Sequence, residues 1–154
     1  ALETVRHLTD GRVIVVFGSA GLRDVAKRSW MGEIAAELAD YTVITAEDPR
    51  TEPLHEIMEE TVVGCIRAGA VECEEFWRVP DRNEAIHFAV SLATSGDVVM
   101  SCGKAHEKSM CFGDIEYPWD DRLAMRAAVA RQLGQPEPIV PELPTAGKGV
   151  LALS

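Results

Sequence analysis

The sequence predicts an α/β domain: a mostly parallel sheet with helices on both faces and an antiparallel hairpin near one edge. Three observations lead there. Apolar strand-like runs alternate with stripes of helical period, and the connections between them are short, which is the pattern of a parallel sheet. Arg12 to Phe17 is a continuous β-branched run, as expected for a central strand covered on both faces. Three runs, Val13 to Phe17, Tyr41 to Thr45 and Val98 to Cys102, each end in a charged loop. In a parallel sheet those loops share one edge, just beyond the carboxyl ends of the strands, where ligands bind.

Taken in order, Leu2 to Leu8 is a short amphipathic helix with Leu2, Val5 and Leu8 on one side, and Gly11 is a natural stop for it. It has no cap or lead-in, and a chain that opens in mid-helix points to a fragment of a larger protein. After the first strand and its loop, Gly18 to Asp24, a helix over 26–39 carries the stripe Met31, Ile34, Ala35 and Leu38. Pro49 in the loop after Tyr41–Thr45 calls for extended backbone at Asp48. A helix over 53–68 buries Leu54, Ile57, Met58, Thr61, Val62 and Cys65, and Gly69 ends it. A short strand over 76–79 is followed by a helix that starts at Pro80-Asp81 and turns Ala85, Ile86, Ala89 and Val90 inward. The buried strand Val98 to Cys102 then breaks at Gly103 into a turn bearing Lys104, His106 and Glu107. Met110–Phe112 and Ile115–Tyr117 flank Gly113-Asp114 as a hairpin. Asp120 and Asp121 suit the start of a last helix reaching Leu133. The four prolines between Gln135 and Pro144 exclude a helix interior, so 135–154 reads as an extended or weakly packed tail beyond a domain at 1–134. The whole is a Rossmann-like arrangement.

Composition narrows the functions. At 154 residues and 47% apolar the chain is long enough for one domain with a sizeable core. A formal net charge of −10 argues against a nucleic-acid or anionic-membrane surface, which needs a basic face. Cys65, Cys73, Cys102 and Cys111 form no C-x-x-C pair and have no histidine at zinc spacing. They read as free thiols, which suits a reducing cytoplasm. No stretch has the form of a signal peptide, and no apolar run approaches the length of a membrane span.

Single motifs are weak. Gly18-x-x-Gly21 sits where a phosphate loop would, but it lacks both the G-x-G-x-x-G spacing and the G-x-x-x-x-G-K-[ST] pattern, and on spacing alone a simple tight turn is the better reading. Lys27 and Arg28 place positive charge on the first turn of a helix, against its dipole, as happens where an anion binds. Arg23 reads equally as a solvated loop residue. Arg50, after the Pro-stiffened loop, suits bidentate carboxylate binding or an exposed salt bridge. His106-Glu107 lacks any nucleophile with a recognisable base, so a structural or substrate-positioning role is a better reading than acid–base chemistry. His7, His55 and His87 lie on helices as ordinary surface or rim residues.

The combination is specific. Gly18-Ser-Ala-Gly-Leu-Arg23-Asp24 with Lys27-Arg28, Met31-Gly32, Glu47-Asp48-Pro49-Arg50, Gly103-Lys104-Ala105-His106-Glu107 and Asp120-Asp121-Arg122 occur in order. Over about Ala1 to Leu133 this resembles the C-terminal domain of the Mur ligases, and within them the tripeptide synthetases that add the diamino residue of the peptidoglycan stem peptide. Ser19, Ala20 and Leu22 depart from the family's first loop. Glu47 and Asp48 stand where Asp-Asn is usual, and Ala105 replaces a glycine. The family's UDP-sugar domain and its ATP-binding central domain have no counterpart in these residues.

The resemblance implies ATP-dependent amide formation in the cytoplasm. The D-glutamate carboxylate of a UDP-N-acetylmuramoyl dipeptide is phosphorylated, and the amine of a diamino acid attacks the acyl phosphate. Magnesium and ATP would be held mainly by the central domain of the same full-length protein. This domain would bind the diamino acid and close over the nucleotide, and it would be inactive alone. The matching positions are Arg23, Asp48, Arg50, Gly103 and Glu107. Arg23 and Arg50 would take carboxylates; Glu107 and the Gly103 carbonyl would take the distal ammonium. Diaminopimelate is favoured by Arg50, while lysine or ornithine is favoured if Asp48 repels a second carboxylate. A folylpolyglutamate synthetase-type domain is one alternative, although it leaves Glu107 without a task. A non-catalytic α/β binding module is another.

Overall fold

The computed structural model describes residues 1–151. Its elements run α1 (Leu2–Arg6), β1 (Val13–Phe17), α2 (Ala26–Leu38), β2 (Tyr41–Ile44), α3 (Leu54–Arg67), β3 (Phe76–Arg78), α4 (Arg82–Leu92), β4 (Val98–Ser101), β5 (Ser109–Phe112), β6 (Ile115–Pro118) and α5 (Asp121–Gln132). Strands β1 to β4 form one parallel sheet in the order β3-β2-β1-β4. The chain therefore steps outward twice from β1, then crosses back to pair β4 on its other side. This puts the topological switch point at the β1/β4 boundary.

β1 is buried along its whole length, and its side chains alternate between two apolar layers. Ile14 and Val16 join Val43, Ala85, Ile86, Ala89 and Ala128 on the face covered by α4 and α5. Val15 and Phe17 meet Ala35 of α2, while Ile44 and Phe76 meet Met58, Val62 and Cys65 of α3. The stripes read from the sequence for α3 and α4 are the buried faces, except that Leu54 at the start of α3 is only partly buried. Asp81 caps α4 by accepting the Glu84 N–H (2.9 Å), and Asp120 caps α5 by accepting that of Arg122 (2.9 Å).

Several expectations need correction. The strand after Asp97 is not fully buried: β4 is an edge strand, and each of its residues is only partly buried. The hairpin β5–β6 forms its own two-stranded sheet instead of extending the main one. Gly11 does not stop α1, which ends at Arg6; it allows the chain to pass against the backbone of Gly96. The buried face of α2 is Arg28, Gly32 and Ala35, because α2 meets α3 where Gly32 and Gly64 let the two backbones touch. The tail is extended but not weakly packed. Leu143 and Thr145 are buried, and Thr145 Oγ1 donates to Asp81 (2.9 Å). The Gly147 and Gly149 N–H groups donate to Glu84 (2.6 and 2.8 Å), and the Leu151 N–H donates to the Arg78 carbonyl on the outer edge of β3 (2.8 Å). The final three residues of the tail lie outside the described residues.

Ion pairs pin the loops. Arg12 grips Asp97 where β1 and β4 begin (2.6 Å), and hydrogen bonds from the Arg12 side chain and the Thr94 and Arg12 amides hold that carboxyl well below the usual range. Arg28 holds Glu52 at about 2, helped by the Leu22 N–H, and Lys108 holds Asp120 at about 2. A carboxylate whose pKa falls on folding stabilises the fold above its unfolded pKa and loses that contribution as pH falls through the folded value. The contribution of these two pairs is therefore fully present above pH 4.5 and is expected to be lost as pH drops from there towards 2. Glu52→Gln should make that loss shallower, and thermal melts across the range check it.

Candidate functional site

The loops after β1, β2 and β4 meet at the carboxyl edge of the sheet. Asp48 is the knot. Its carbonyl accepts the Gly21 N–H (2.9 Å), its Oδ2 accepts Lys104 Nζ (2.6 Å) and its Oδ1 accepts the Cys111 N–H (2.8 Å). One residue thus ties the β1 loop, the β4 loop and the hairpin. Asp48 does not take the extended backbone that Pro49 was expected to impose: its φ is +41°, and that of Arg50 is +55°. Left-handed backbone at non-glycine residues costs about 1–2 kcal/mol each, and the surrounding hydrogen bonds hold it in place. For Arg50 these come from the hairpin, with its N–H donating to the Cys111 carbonyl (3.1 Å) and its carbonyl accepting the Gly113 N–H (2.7 Å).

Beside this knot, at the switch point, lies a cleft of about 600 Å3. Arg23 and Lys27 line it on the β1–α2 side, Cys102 and Gly103 on the β4 side, with Ser19 and Glu47 also facing it. Gly103 has φ +102°, and a Cβ there would overlap the Glu47 carboxylate, so this position admits no side chain without moving that acid. Ser19 is buried and its Oγ has no partner among the described residues. Burial raises the Glu47 carboxyl above its ordinary value, against the pull of Arg82 and Lys104. Burial also raises the Cys102 thiol, which disfavours a thiolate nucleophile in the cleft.

Of the five residues singled out from the sequence, Arg23 and Gly103 line the cleft, while Asp48, Arg50 and Glu107 lie outside its lining. Asp48 bridges the two sets through Gly21 and Lys104. The guanidinium groups of Arg23 and Arg50 make no hydrogen bond or ion pair among the described residues. Glu107 is exposed in the β4–β5 loop. Backbone hydrogen bonds chiefly hold its carboxyl below the usual range, and it accepts the His106 N–H at 3.2 Å. Arg28, read from its place on the helix as one of two anion-seeking charges, is spoken for: it is 1% exposed and held by Glu52 (2.7 Å) and Glu60 (2.8 Å). Both line the cleft, but Lys27 is the one of the pair that is not tied up in a buried ion pair. Two members of the site were not singled out from the sequence. Glu47 looked like a motif variant, but it is a partly buried acid that, with Asp24, shares the cleft with the cations Arg23 and Lys27. Lys104 is buried and neutralises Asp48.

A family model described as Mur ligase, glutamate ligase domain, matches residues 1–105. A UDP-N-acetylmuramyl-tripeptide synthetase of Roseiflexus sp. is 44% identical over 126 residues, which is 82% of this chain and 25% of that protein. The UDP-N-acetylmuramoyl-L-alanyl-D-glutamate–2,6-diaminopimelate ligase of Brucella melitensis is 42% identical over 132 residues, 86% of this chain and 25% of the relative. A solved structure of a ligase with the same 2,6-diaminopimelate description superposes with a TM-score of 0.77 at 30% identity, covering 86% of this chain and 26% of that one. The chain spans about a quarter of the length of these relatives. On this match, and on loops that meet where the sequence placed them, the chain belongs to the Mur ligase family, whose glutamate ligase domain it forms.

Proposed function

We propose that this domain binds the incoming diamino acid for an ATP-dependent ligase that extends UDP-N-acetylmuramoyl-L-Ala-D-Glu, with diaminopimelate preferred over lysine or ornithine. An amino acid is a zwitterion, and the cleft offers both signs of charge: Arg23 and Lys27 for a carboxylate, Glu47 for an ammonium. Arg50 takes the second carboxylate that distinguishes diaminopimelate, while the Gly103 carbonyl and Glu107 take the distal ammonium.

The observation that carries the choice of substrate is the state of Asp48. Left free, it would repel a second carboxylate beside Arg50. Both of its oxygens are engaged, one by the Lys104 ammonium at 2.6 Å. Its charge is thereby offset locally, which weakens its repulsion of a carboxylate bound by Arg50. The domain's contribution is positioning: it holds the amine of the amino acid against an activated D-glutamyl carboxylate and closes over the nucleotide. ATP and magnesium would be held mainly by a central domain of the same full-length protein, and the domain alone would be inactive. Among the described residues no three metal-ligating side chains are grouped.

The test compares kcat/KM for diaminopimelate, lysine and ornithine in the full-length protein that carries this domain. Diaminopimelate should be used best, and the 154-residue chain with magnesium-ATP should release no phosphate above background. A preference for lysine or ornithine would overturn the choice of amino acid.

A further inference from the structure

Arg82 is the most completely buried cation in the protein, with a relative exposure of 0%. Its Nε and Nη2 donate to the two oxygens of Asp121 (2.7 and 2.7 Å), its Nη1 to the Ala46 carbonyl (3.0 Å), and its Nη2 also to the Cys102 carbonyl (2.7 Å) and Ser101 Oγ (3.2 Å). Asp121 is fixed in turn by Ser101 Oγ (2.6 Å) and by the buried Trp119 Nε1 (2.7 Å). Burial alone would raise its carboxyl, and these donors together hold it below the ordinary value.

The two carbonyls matter because of where they lie. Ala46 is the residue before Glu47-Asp48-Pro49-Arg50, and Cys102 is the residue before Gly103. They follow β2 and β4, which are not neighbours, since β1 lies between them. Ladder hydrogen bonds join only adjacent strands, so the sheet itself does not link these two carbonyls. One planar guanidinium bridges the gap. We propose that Arg82, oriented by Asp121, is a positioning residue for the diamino-acid site, setting the separation between the β2 loop with Glu47 and Arg50 and the β4 loop with Gly103 and Glu107. This rests on reading those loops as the amino-acid site.

A core ion pair that merely holds the fold together can often be replaced by apolar residues at little cost, whereas removing one partner strands the other charge. That difference sets the experiment. The double variant Arg82→Met/Asp121→Leu removes both charges, and Arg82→Lys keeps the charge but loses the planar fork that reaches two carbonyls. Both should melt within a few degrees of the parent. In both, amide hydrogen exchange at 47–50 and 103–107 should quicken about tenfold or more, with α2 and α3 unchanged. In the full-length ligase, KM for the amino acid should rise by roughly 10- to 100-fold, the scale of a small misplacement, with KM for ATP unmoved. Should the double variant fail to fold, Arg82→Lys carries the same readouts. Wild-type exchange at both loops in a folded variant overturns the proposal, as does an unchanged amino-acid KM. A full-length protein that turns over no diamino acid overturns the site reading along with it. One that turns over diaminopimelate while the variants match the parent overturns this proposal alone.

Discussion

Gly64→Ala is expected to destabilise the domain by about 3 kcal/mol, the upper part of the usual range for overpacking, and to lower Tm by roughly 6–12 °C. Helix propensity alone predicts the opposite sign, because alanine is about 1 kcal/mol better than glycine inside a helix. Contact decides. A Cβ on Gly64 would overlap the Ser29 carbonyl oxygen and lie 2.7 Å from its carbon and 2.8 Å from the Glu33 nitrogen, all backbone atoms of α2. Backbone cannot rotate away as a side chain can, so α2 and α3 must separate. That would pull apart the layer of Met58, Val62 and Cys65. Gly69→Ala is the control. Its φ is +91°, but nothing stands within 4 Å of its Cβ, so only the left-handed backbone cost of about 1–2 kcal/mol applies. Urea melts of the two variants measure the difference. Equal costs would show that the helices do not touch at Gly64.

Arg50→Ala is expected to lower kcat/KM for diaminopimelate by about 2 kcal/mol or more, roughly thirtyfold, the lower end of what a lost charge partner costs at a binding surface. The effect should be selective. Lysine lacks the second carboxylate, so its kcat/KM should change little and the preference between the two should collapse. The main chain of Arg50 is held by the hairpin through Cys111 and Gly113 independently of its side chain, so the loop should keep its shape in the variant. An equal loss for both amino acids would mean that Arg50 supports the loop and does not read the substrate.

The parts of this fold legible in the sequence are those whose signal is local. β1 is a run of five apolar residues and is buried throughout. The spacing of Ile57, Met58, Thr61, Val62 and Cys65 gives the buried face of α3 directly. Asp81 and Asp120 announce two helix starts by their capping chemistry. Lateral position is not local, which is why Val98–Ser101 read as buried although the crossover leaves it at the edge. Charge pairing is not local either. Asp48 meets Lys104 across 56 positions, and Arg28 meets Glu52 and Glu60 across 24 and 32. From composition, Arg28 looked available and Asp48 looked unpaired; contacts between loops distant in sequence reverse both. The tail misled for a related reason. Its prolines exclude a helix, but they do not exclude docking, which depends on Leu143 and Thr145 finding the start of α4.

The central claim is that the loops at 18–24, 47–50 and 103–107 form the diamino-acid site. Amide chemical-shift mapping of the chain during titration with diaminopimelate tests it most directly. Shifts should concentrate on those three loops and on the Cys111–Gly113 turn that holds Arg50, and they should be absent from the acidic surface of α3 around Glu56 and Glu59. Shifts centred on α3, or none at all at millimolar ligand, would contradict it.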